Sequence, residues 1–242
     1  MATAAATWAE VIAGRELLRD DHLLVLDKPP GWSVMGERHD TDLVRLARAA
    51  GETLWPAHRI DKVTSGIVLF ALRLEAHGAL TRQFADRSVA KTYLAVTTGT
   101  GLPASGTIEL PLSVGRKNRV RIAAPREAIT REGDHWGVPA DAVLAGDVYP
   151  STTTFERLAE GDGRTLLAVR PLTGRRHQIR VHLAWIGHAL VGDPLFDRSP
   201  TTRVGLHSWR LGFAGPDGTR HDLVAPPRED FTALAPSRPG DL

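Results

Sequence analysis

The apolar residues of this chain occur in short runs, and this pattern limits the fold more than any other feature of the sequence. The longest run is Ile67–Leu72, whereas a helix that crosses a bilayer needs roughly 20 apolar residues. The segments Leu23–Leu26, Gly66–Leu72 and Lys91–Thr97 have the length and residue types of strands. The sequence therefore predicts a globular protein that buries strands in its core and contains no membrane helix.

Two segments instead repeat apolar residues at helical spacing. One extends from Glu75 to Arg87, and the second begins near Arg175 and stops at Gly187, where a C-terminal glycine is expected. Because apolar residues three or four positions apart share one helix face, both segments are predicted to pack that face against the strands.

Two further pairs of strands are predicted, and each pair is connected by a turn. Thr152–Leu158 and Thr165–Val169 are separated by the turn Glu160–Gly163, and Leu206–Phe213 and His221–Val224 by a turn at residues 216–218. Strands with irregularly interspersed helices indicate an α+β fold rather than a repeating βαβ chain. We expect a mixed, mainly antiparallel central sheet with flanking helices.

The chain shows no linker that would divide it, so we expect a single domain over residues 1–242. Residues 1–22 are then an N-terminal extension before the first core strand. Between Arg116 and Pro150 the periodicity fades and Pro, Gly and charged residues accumulate, as in long surface segments. We expect a mobile excursion there, with residues 126–147 as an insertion loop.

Composition excludes several classes of chemistry. There is no cysteine, which rules out disulfides, thiolate metal sites and a cysteine nucleophile. The histidines lack metal-ligand spacing, since His177 and His182 diverge on a helix, and no glycine-rich nucleotide-binding motif occurs. We therefore expect neither a metal nor another cofactor. The N-terminus lacks a basic leader and a long apolar stretch, which predicts a cytoplasmic protein.

The charge pattern leaves two readings open. The formal net charge is only +2, yet the pI is about 9.3, and arginines are clustered along the sequence. Arg119 and Arg121 have one parity of a predicted strand that also includes Arg116, which suits contact with the backbone of a polyanion. The same residues would also suit an edge strand that is kept soluble by charge.

One polar segment has the composition of a catalytic loop. His58-Arg59-Ile60-Asp61-Lys62 precedes the strand that begins near Gly66 and places one carboxylate among three potential cations. Nearby positive charge favours the ionised form of Asp61. A salt-bridged aspartate in a surface turn would give the same pattern, so this segment alone does not establish a catalytic role.

Two other segments bring further polar groups. In Thr173–Leu183, Arg176 and Arg180 are four residues apart and share a helix face. Tyr93 lies on the predicted strand Lys91–Thr97, as many core tyrosines do. Each segment has an ordinary structural explanation when it is taken alone.

Together, however, these segments resemble the signature motifs of the RluA family of pseudouridine synthases, in that family's order. HRIDKVTSG resembles the family's HRLD-x-x-TSG, AKTYLAVTTG its K-x-Y-x-A-x-x-x-G, and TGRRHQIRVHLAWIGHALVGDPLF its TGR-x-HQIR-x-H and GH-x-x-x-GD. LLVLDKPPG and LHSWRLGF are also similar to family patterns, so the resemblance extends from Leu23 to Leu234. The chain departs from the pattern at Asp27, where Asn is frequent, and at Val63, where a second acidic residue is common.

The resemblance implies roles for individual residues. It makes Asp61 the catalytic aspartate, Arg180 its charge partner and Tyr93 the ring that stacks on the target base. The residues expected to contact substrate or RNA are His58, Arg59, Thr64, Arg119, Arg121 and Arg176.

The implied activity is the isomerisation of specific uridines in rRNA or tRNA stem-loops to pseudouridine, without a cofactor. Asp61 could attack C1′ or stabilise a cationic sugar, as carboxylates do in glycosidases, or it could abstract a sugar proton; the sequence leaves these routes open. The target nucleotide must be flipped out of its stack. The alternatives are a non-catalytic RNA-binding protein with the same fold and, more remotely, an enzyme that releases free uracil. The short N-terminal extension predicts no S4-type RNA-binding domain, and we expect a monomer.

Overall fold

The computed structural model describes residues 7–36 and 41–237, which form two compact units. The first unit contains the chain up to Lys91 together with His207–Pro227, and the second contains Thr92–Leu206 and the residues from Arg228 onward. No helix in these described ranges is both long and apolar enough to span a bilayer.

The secondary-structure elements are numbered in chain order. The helices are α1 Trp8–Ile12, α2 Leu43–Ala49, α3 Leu74–Ala85, α4 Gln178–Trp185 and α5 Glu229–Thr232. The strands are β1 Glu16–Arg19, β2 Leu23–Lys28, β3 Trp55–Pro56, β4 Ser65–Ala71, β5 Ala90–Thr98, β6 Ser105–Glu109, β7 Leu112–Val114, β8 Val120–Ile122, β9 Thr130–Glu132, β10 His135–Gly137, β11 Val148–Tyr149, β12 Thr152–Gly161, β13 Arg164–Pro171, β14 Leu206–Ala214 and β15 Arg220–Val224.

The first unit is built around the strand order β1-β2-β4-β14, with β3 beside β4 and β15 beside β14. Every residue of β2 and β4 is buried, which explains their continuous apolar runs. On one face, Val25, Ile67, Leu69 and Phe213 form a core with the buried side of α3. The sequence between β3 and β4 is thereby held above a rigid strand.

The second unit contains the strand order β5-β13-β12-β6-β10-β9 and a separate small sheet, β11-β7-β8. The β12–β13 hairpin closes through Asp162 and Gly163, which both have positive φ, as a two-residue turn that matches the twist of a hairpin requires. Helix α4 packs beside β8, β12 and β13. Its residues 178–184 are all buried.

The predicted fold class is confirmed. Most strand pairs are antiparallel, while β14–β4 and β10–β6 are parallel, so the structure is α+β with mixed, mainly antiparallel pairing and flanking helices. The predicted helix near Glu75–Arg87 is α3. The helix expected from about Arg175 begins at Gln178, because His177 has a left-handed backbone.

The prediction of one strand through Arg116–Arg121 was wrong. Lys117 and Asn118 have φ of 59° and 58°, so the chain reverses between β7 and β8 and only Arg121 lies on a strand. The irregular loop expected over residues 126–147 was also wrong in its secondary structure. β9 and β10 lie there, and Trp136 of β10 is buried against Phe155. One buried ring is too weak a signal to produce a periodic pattern.

The N-terminal extension also contributes to the fold. Residues 7–22 include α1 and β1, and β1 pairs with β2. That residues 126–147 are an insertion, and that the two units act as a single domain, stay predictions.

Candidate active site

Asp61 lies in the loop between β3 and β4, where the chain turns into the buried strand. The backbone N–H of Thr64 donates to the carbonyl of Asp61 at 3.0 Å. The neighbouring Ile60 and Thr64 are buried, while Asp61 is half-buried and Arg59 is exposed. Two buried anchors therefore hold the carboxylate-bearing turn at the surface of the first unit.

Lys28 fastens this turn to the loop that follows β2. Its side chain is fully buried, and its ammonium group donates to the carbonyls of Pro29, Trp32 and Lys62 at 2.9, 2.7 and 3.2 Å. The N–H of Gly31 also donates to the Lys62 carbonyl, at 2.8 Å. The residue after Asp61 is thus held by two donors, one at the end of β2 and one in the loop that follows it. Sequence reasoning did not assign Lys28 a role, although the buried strand running into Pro-Pro-Gly was a local signal.

The end of the same motif is fixed from β14. His207 Nε2 lies 2.8 Å from the Ala225 carbonyl, which can only accept, so this nitrogen donates and Nδ1 accepts from the Ser65 hydroxyl at 2.7 Å. Gly66 has φ of +102°, and a Cβ there would lie 2.2 Å from the Ser208 carbonyl oxygen. The Ser-Gly pair after Thr64 therefore sets how closely β4 approaches β14, and His207 is a second residue that the sequence reasoning missed.

His58 has a supporting position beneath the loop. Its Nε2 accepts from the Leu69 N–H at 3.1 Å, and its ring stacks on Phe84 with centroids 4.5 Å apart. Burial, with a smaller contribution from the Lys91 charge, lowers the pKa of His58 to about 3. The imidazole is therefore neutral near pH 7 and offers no positive charge to a phosphate. Direct contact of His58 with RNA stays a prediction.

In the second unit, Tyr93 lies on β5 opposite Val169 of β13, and its ring is half-buried. The following residues of β5 are buried, and the Val191 N–H donates to the Val96 carbonyl at 3.0 Å. The strand that carries Tyr93 is therefore held on one side by β13 and on the other by the segment around Val191.

Arg180 lies on α4 and is 4% exposed. Its Nε donates to Oδ2 of Asp193 at 2.9 Å, and its Nη2 donates to Oδ1 at 2.6 Å. This two-bond geometry matches the planar guanidinium fork to the carboxylate and fixes both groups. Sequence reasoning quoted the segment that contains Asp193 but gave this residue no role.

The start of α4 is organised by Gln178. Its Oε1 accepts from the Thr173 hydroxyl and the Arg175 N–H, at 2.7 and 3.1 Å. Its Nε2 donates to the Thr152 carbonyl and the Thr153 hydroxyl, both at 3.0 Å. The amide thus uses all of its usual hydrogen-bonding capacity, and it anchors the loop with Arg175 and Arg176 to β12.

Exposed arginines gather where this loop meets the small sheet. The Nη2 of Arg176 donates to the carbonyl of Asn118, which lies in the turn between β7 and β8. The Arg175 guanidinium lies 5.5 Å from the centroid of the Tyr149 ring, which is 39% exposed. We call this region the basic hairpin surface; its exposed cations are Arg116, Lys117, Arg119, Arg121, Arg175 and Arg176.

The structure thus places the predicted site residues in three settings. His58, Arg59, Asp61 and Thr64 belong to one loop of the first unit. Arg119 and Arg121 are joined to Arg176 in the basic hairpin surface of the second unit. Tyr93 and Arg180 lie on β5 and α4 of that unit. Within residues 7–36 and 41–237, no three His, Asp or Glu side chains are arranged to hold a metal ion.

Comparison with known proteins gives consistent matches over most of the chain. A family model described as RNA pseudouridylate synthase matches residues 22–185. The chain is 34% identical, over 93% of its length, to Ribosomal large subunit pseudouridine synthase D of Nitrosomonas europaea, and it spans 65% of that relative. It is 33% identical, over 83% of its length, to Dual-specificity RNA pseudouridine synthase RluA of Escherichia coli K12, of which it covers 86%. The tRNA pseudouridine synthase C of Pasteurella multocida is also 33% identical, with 83% of this chain and 85% of that protein covered.

Solved structures agree on the fold. The protein described as Human RNA Pseudouridylate Synthase Domain Containing 4 has a TM-score of 0.73 at 23% identity, with 93% of each chain covered. Human RNA Pseudouridylate Synthase Domain Containing 1 has a TM-score of 0.68 at 24% identity, with 91% of this chain and 86% of that chain covered. At such identities the likeness concerns the fold alone.

Proposed function

Because this chain belongs to the RNA pseudouridylate synthase family, we propose that it converts specific uridines in rRNA or tRNA stem-loops to pseudouridine. The main support for this proposal is the way in which the surrounding structure holds Asp61 in place. Its turn stands between buried Ile60 and Thr64 and is bound to the β2 loop through Lys28 and Gly31. A carboxylate held so firmly at a surface suits chemistry on a bound nucleotide.

The reaction rearranges bonds within one nucleotide. The bond from N1 to C1′ breaks, the uracil turns, and a bond from C5 to C1′ forms; C5 loses its proton and N1 gains one. No electrons leave the nucleotide and no water is consumed. Asp61 either attacks C1′ or removes a sugar proton, and both routes require its ionised form.

The other proposed roles follow from the family resemblance and from the position of each residue. Tyr93 would stack on the flipped uracil, since its ring lies on a strand that is held from both sides. Arg180 would be the charge partner of Asp61. Arg59, exposed next to the turn, would occupy the space that the flipped base leaves or would bind a phosphate. Thr64 would hold the turn, and His58 would support it from below.

We propose that the basic hairpin surface binds the RNA backbone. Its six exposed cations come from the β7–β8 turn and from the loop before α4, and the contact between Arg176 and Asn118 makes them one patch. Two relatives are named for ribosomal RNA and transfer RNA and one as dual-specificity, so both RNA classes should be offered. We further propose that the protein acts as a monomer in the cytoplasm, where these RNAs are found.

The decisive experiment uses stem-loop RNA labelled with tritium at C5 of uridine. Formation of the C5–C1′ bond releases this tritium, and the modified position is then mapped in the RNA. The Asp61→Asn variant keeps the shape of the side chain and should lose turnover by on the order of a thousandfold or more, because it lacks the charge and nucleophilicity. Circular dichroism and RNA affinity serve as controls and should match those of the wild type.

Three outcomes would count against the proposal. Bound RNA without tritium release from any rRNA or tRNA would indicate a non-catalytic RNA-binding protein. Free uracil in the product would indicate a base-excising enzyme. Substantial turnover by folded Asp61→Asn would remove Asp61 from the catalytic role.

A further inference from the structure

The two-bond ion pair between Arg180 and Asp193 is almost completely buried. The side chains are 5% and 0% exposed. Because a buried charge that loses its partner is strongly destabilised, the two groups stay paired in the folded protein. Asp193 contacts the Nε and Nη2 edge of the guanidinium, so it determines the plane in which the whole group lies.

Asp193 is itself fixed by backbone on both sides. Its Oδ1 also accepts from the Leu195 N–H at 2.9 Å, and its carbonyl accepts from the N–H groups of Phe196 and Asp197. Before it, Gly192 has φ of +66°, and a Cβ there would lie 2.4 Å from the Arg203 carbonyl oxygen. The Gly-Asp pair therefore lets the chain pass close to residue 203 and places the carboxylate accurately.

The segment that carries Asp193 also touches the strand that carries Tyr93. The Val191 N–H donates to the Val96 carbonyl, and the Gly205 N–H donates to the Val191 carbonyl. Gln178 anchors the N-terminal end of α4 to β12. The Arg180 side chain is thus held by a rigid helix and by a rigid turn.

We propose that Asp193 is a positioning residue, whose carboxylate orients the Arg180 guanidinium for catalysis. This inference rests on the proposed function, in which Arg180 is the charge partner of Asp61. A bidentate carboxylate on one edge of Arg180 limits rotation about the last side-chain bonds, and orientation of a catalytic group by a fixed neighbour is a general source of rate enhancement.

Asp193→Asn is the sharpest test, because Asn keeps the volume and the acceptor for the Leu195 N–H. Its NH₂ group would face a guanidinium donor where Oδ2 now accepts. Turnover should fall between about tenfold and a hundredfold, as expected for a misoriented group, while the KM and the affinity for RNA stay near their wild-type values. Rates are measured well below the melting temperature of each variant.

A double-mutant cycle separates positioning from mere support of the fold. Arg180→Lys keeps the charge but cannot form the two-bond contact, so Asp193→Asn should cost much less turnover in that background than in the wild type. The matched control is Asp230→Asn, which removes the carboxylate charge from the 2.8 Å contact of Arg203 with Asp230 in the same unit. That variant should leave turnover unchanged. If Asp193→Asn does not fold, Asp193→Glu keeps the charge, moves the carboxylate by one methylene and should show the same loss of turnover.

The results distinguish this inference from the proposed function. Wild-type protein that forms no pseudouridine would overturn the proposed function before any variant is compared. An active wild type with unchanged turnover in folded Asp193→Asn, or in Asp193→Glu where the first variant is unfolded, would overturn the positioning role alone. Equal losses in the wild-type and Arg180→Lys backgrounds would do the same.

Discussion

Gly66 fixes the spacing of two strands through a single missing side chain. Gly66→Ala should destabilise the protein by about 3 kcal/mol or more, because positive φ strains an L-residue and the new methyl group collides with the Ser208 backbone. Urea denaturation measures this change. Gly218→Ala is the control: it has φ of +84° but nothing within 4 Å of the added Cβ, so it should cost only about 1 kcal/mol. Equal costs would show that the clash is relieved by strand movement.

His58 makes stability depend on pH in a definite direction. Its pKa falls from 6.5 to about 3 on folding because burial, and to a lesser extent Lys91, disfavours the imidazolium. Between these values the unfolded chain binds more protons than the folded protein, so stability is fully present above pH 6.5 and is lost as the pH falls towards 3.

We therefore expect His58→Gln to weaken the pH dependence of stability. The amide oxygen can still accept from the Leu69 N–H but does not titrate. Between pH 7 and pH 5, the wild type should lose about 2 kcal/mol more stability than the variant. Urea titrations at both pH values give this difference. If stability changed with pH in the same way in both proteins, folding would not lower the pKa of His58.

At the scale of elements, the basic hairpin surface should determine how RNA affinity responds to salt. Each phosphate neutralised on a single strand contributes a log–log slope of about −0.7, so several contacts should give roughly −2 to −4. Arg119→Ala with Arg121→Ala should flatten this slope by about one unit or more without changing which uridine is modified, because phosphate contacts position the RNA but do not specify its sequence.

The control for this double variant is Arg170→Ala with Arg228→Ala, which removes the same charge from exposed positions elsewhere in the second unit. Binding of a target stem-loop is measured across a salt series. A control slope that flattens as much as that of the hairpin variant would indicate a general charge effect. An unchanged slope in the hairpin variant would restrict the RNA contact to Arg175 and Arg176.

For the whole molecule, we expect turnover without a metal or another cofactor. The target RNA is folded in potassium salt, treated with EDTA and compared with untreated RNA whose fold is checked separately. Turnover should be unchanged, since the proposed chemistry uses Asp61 and the nucleotide alone. Loss of turnover that returns with a metal, while the RNA fold is constant, would contradict this expectation.

Features that depend on neighbouring residues could be predicted from the sequence, whereas contacts between distant residues could not. The strands β2 and β4, helix α3 and the β12–β13 hairpin follow from local patterns and were predicted. The partners that hold the site are distant along the chain: Asp193 is 13 residues from Arg180, Lys62 is 34 from Lys28, and His207 is 142 from Ser65. No local pattern encodes such pairs.

One residue in the wrongly predicted strand Arg116–Arg121 did indicate a turn. Asn118 is a residue type that tolerates positive φ, and it lies in the middle of the predicted strand Arg116–Arg121. The turn that it helps to form places exposed arginines from two segments in one patch. The spacing of the arginines could not reveal this patch, because that argument assumed a continuous strand. The turn interrupts the strand.

Because Lys28 is buried, the rate at which an acylating reagent modifies its amine can report how often the surrounding structure opens. The sequence contains only four lysines, Lys28, Lys62, Lys91 and Lys117, and the last three are partly or fully accessible to solvent. An acylating reagent should therefore label them in the folded protein, whereas Lys28 reacts only when its three carbonyl partners separate. Mass spectrometry of Lys28 peptides against time would report how often the loop with Asp61 detaches from the β2 loop, with neither RNA nor turnover required.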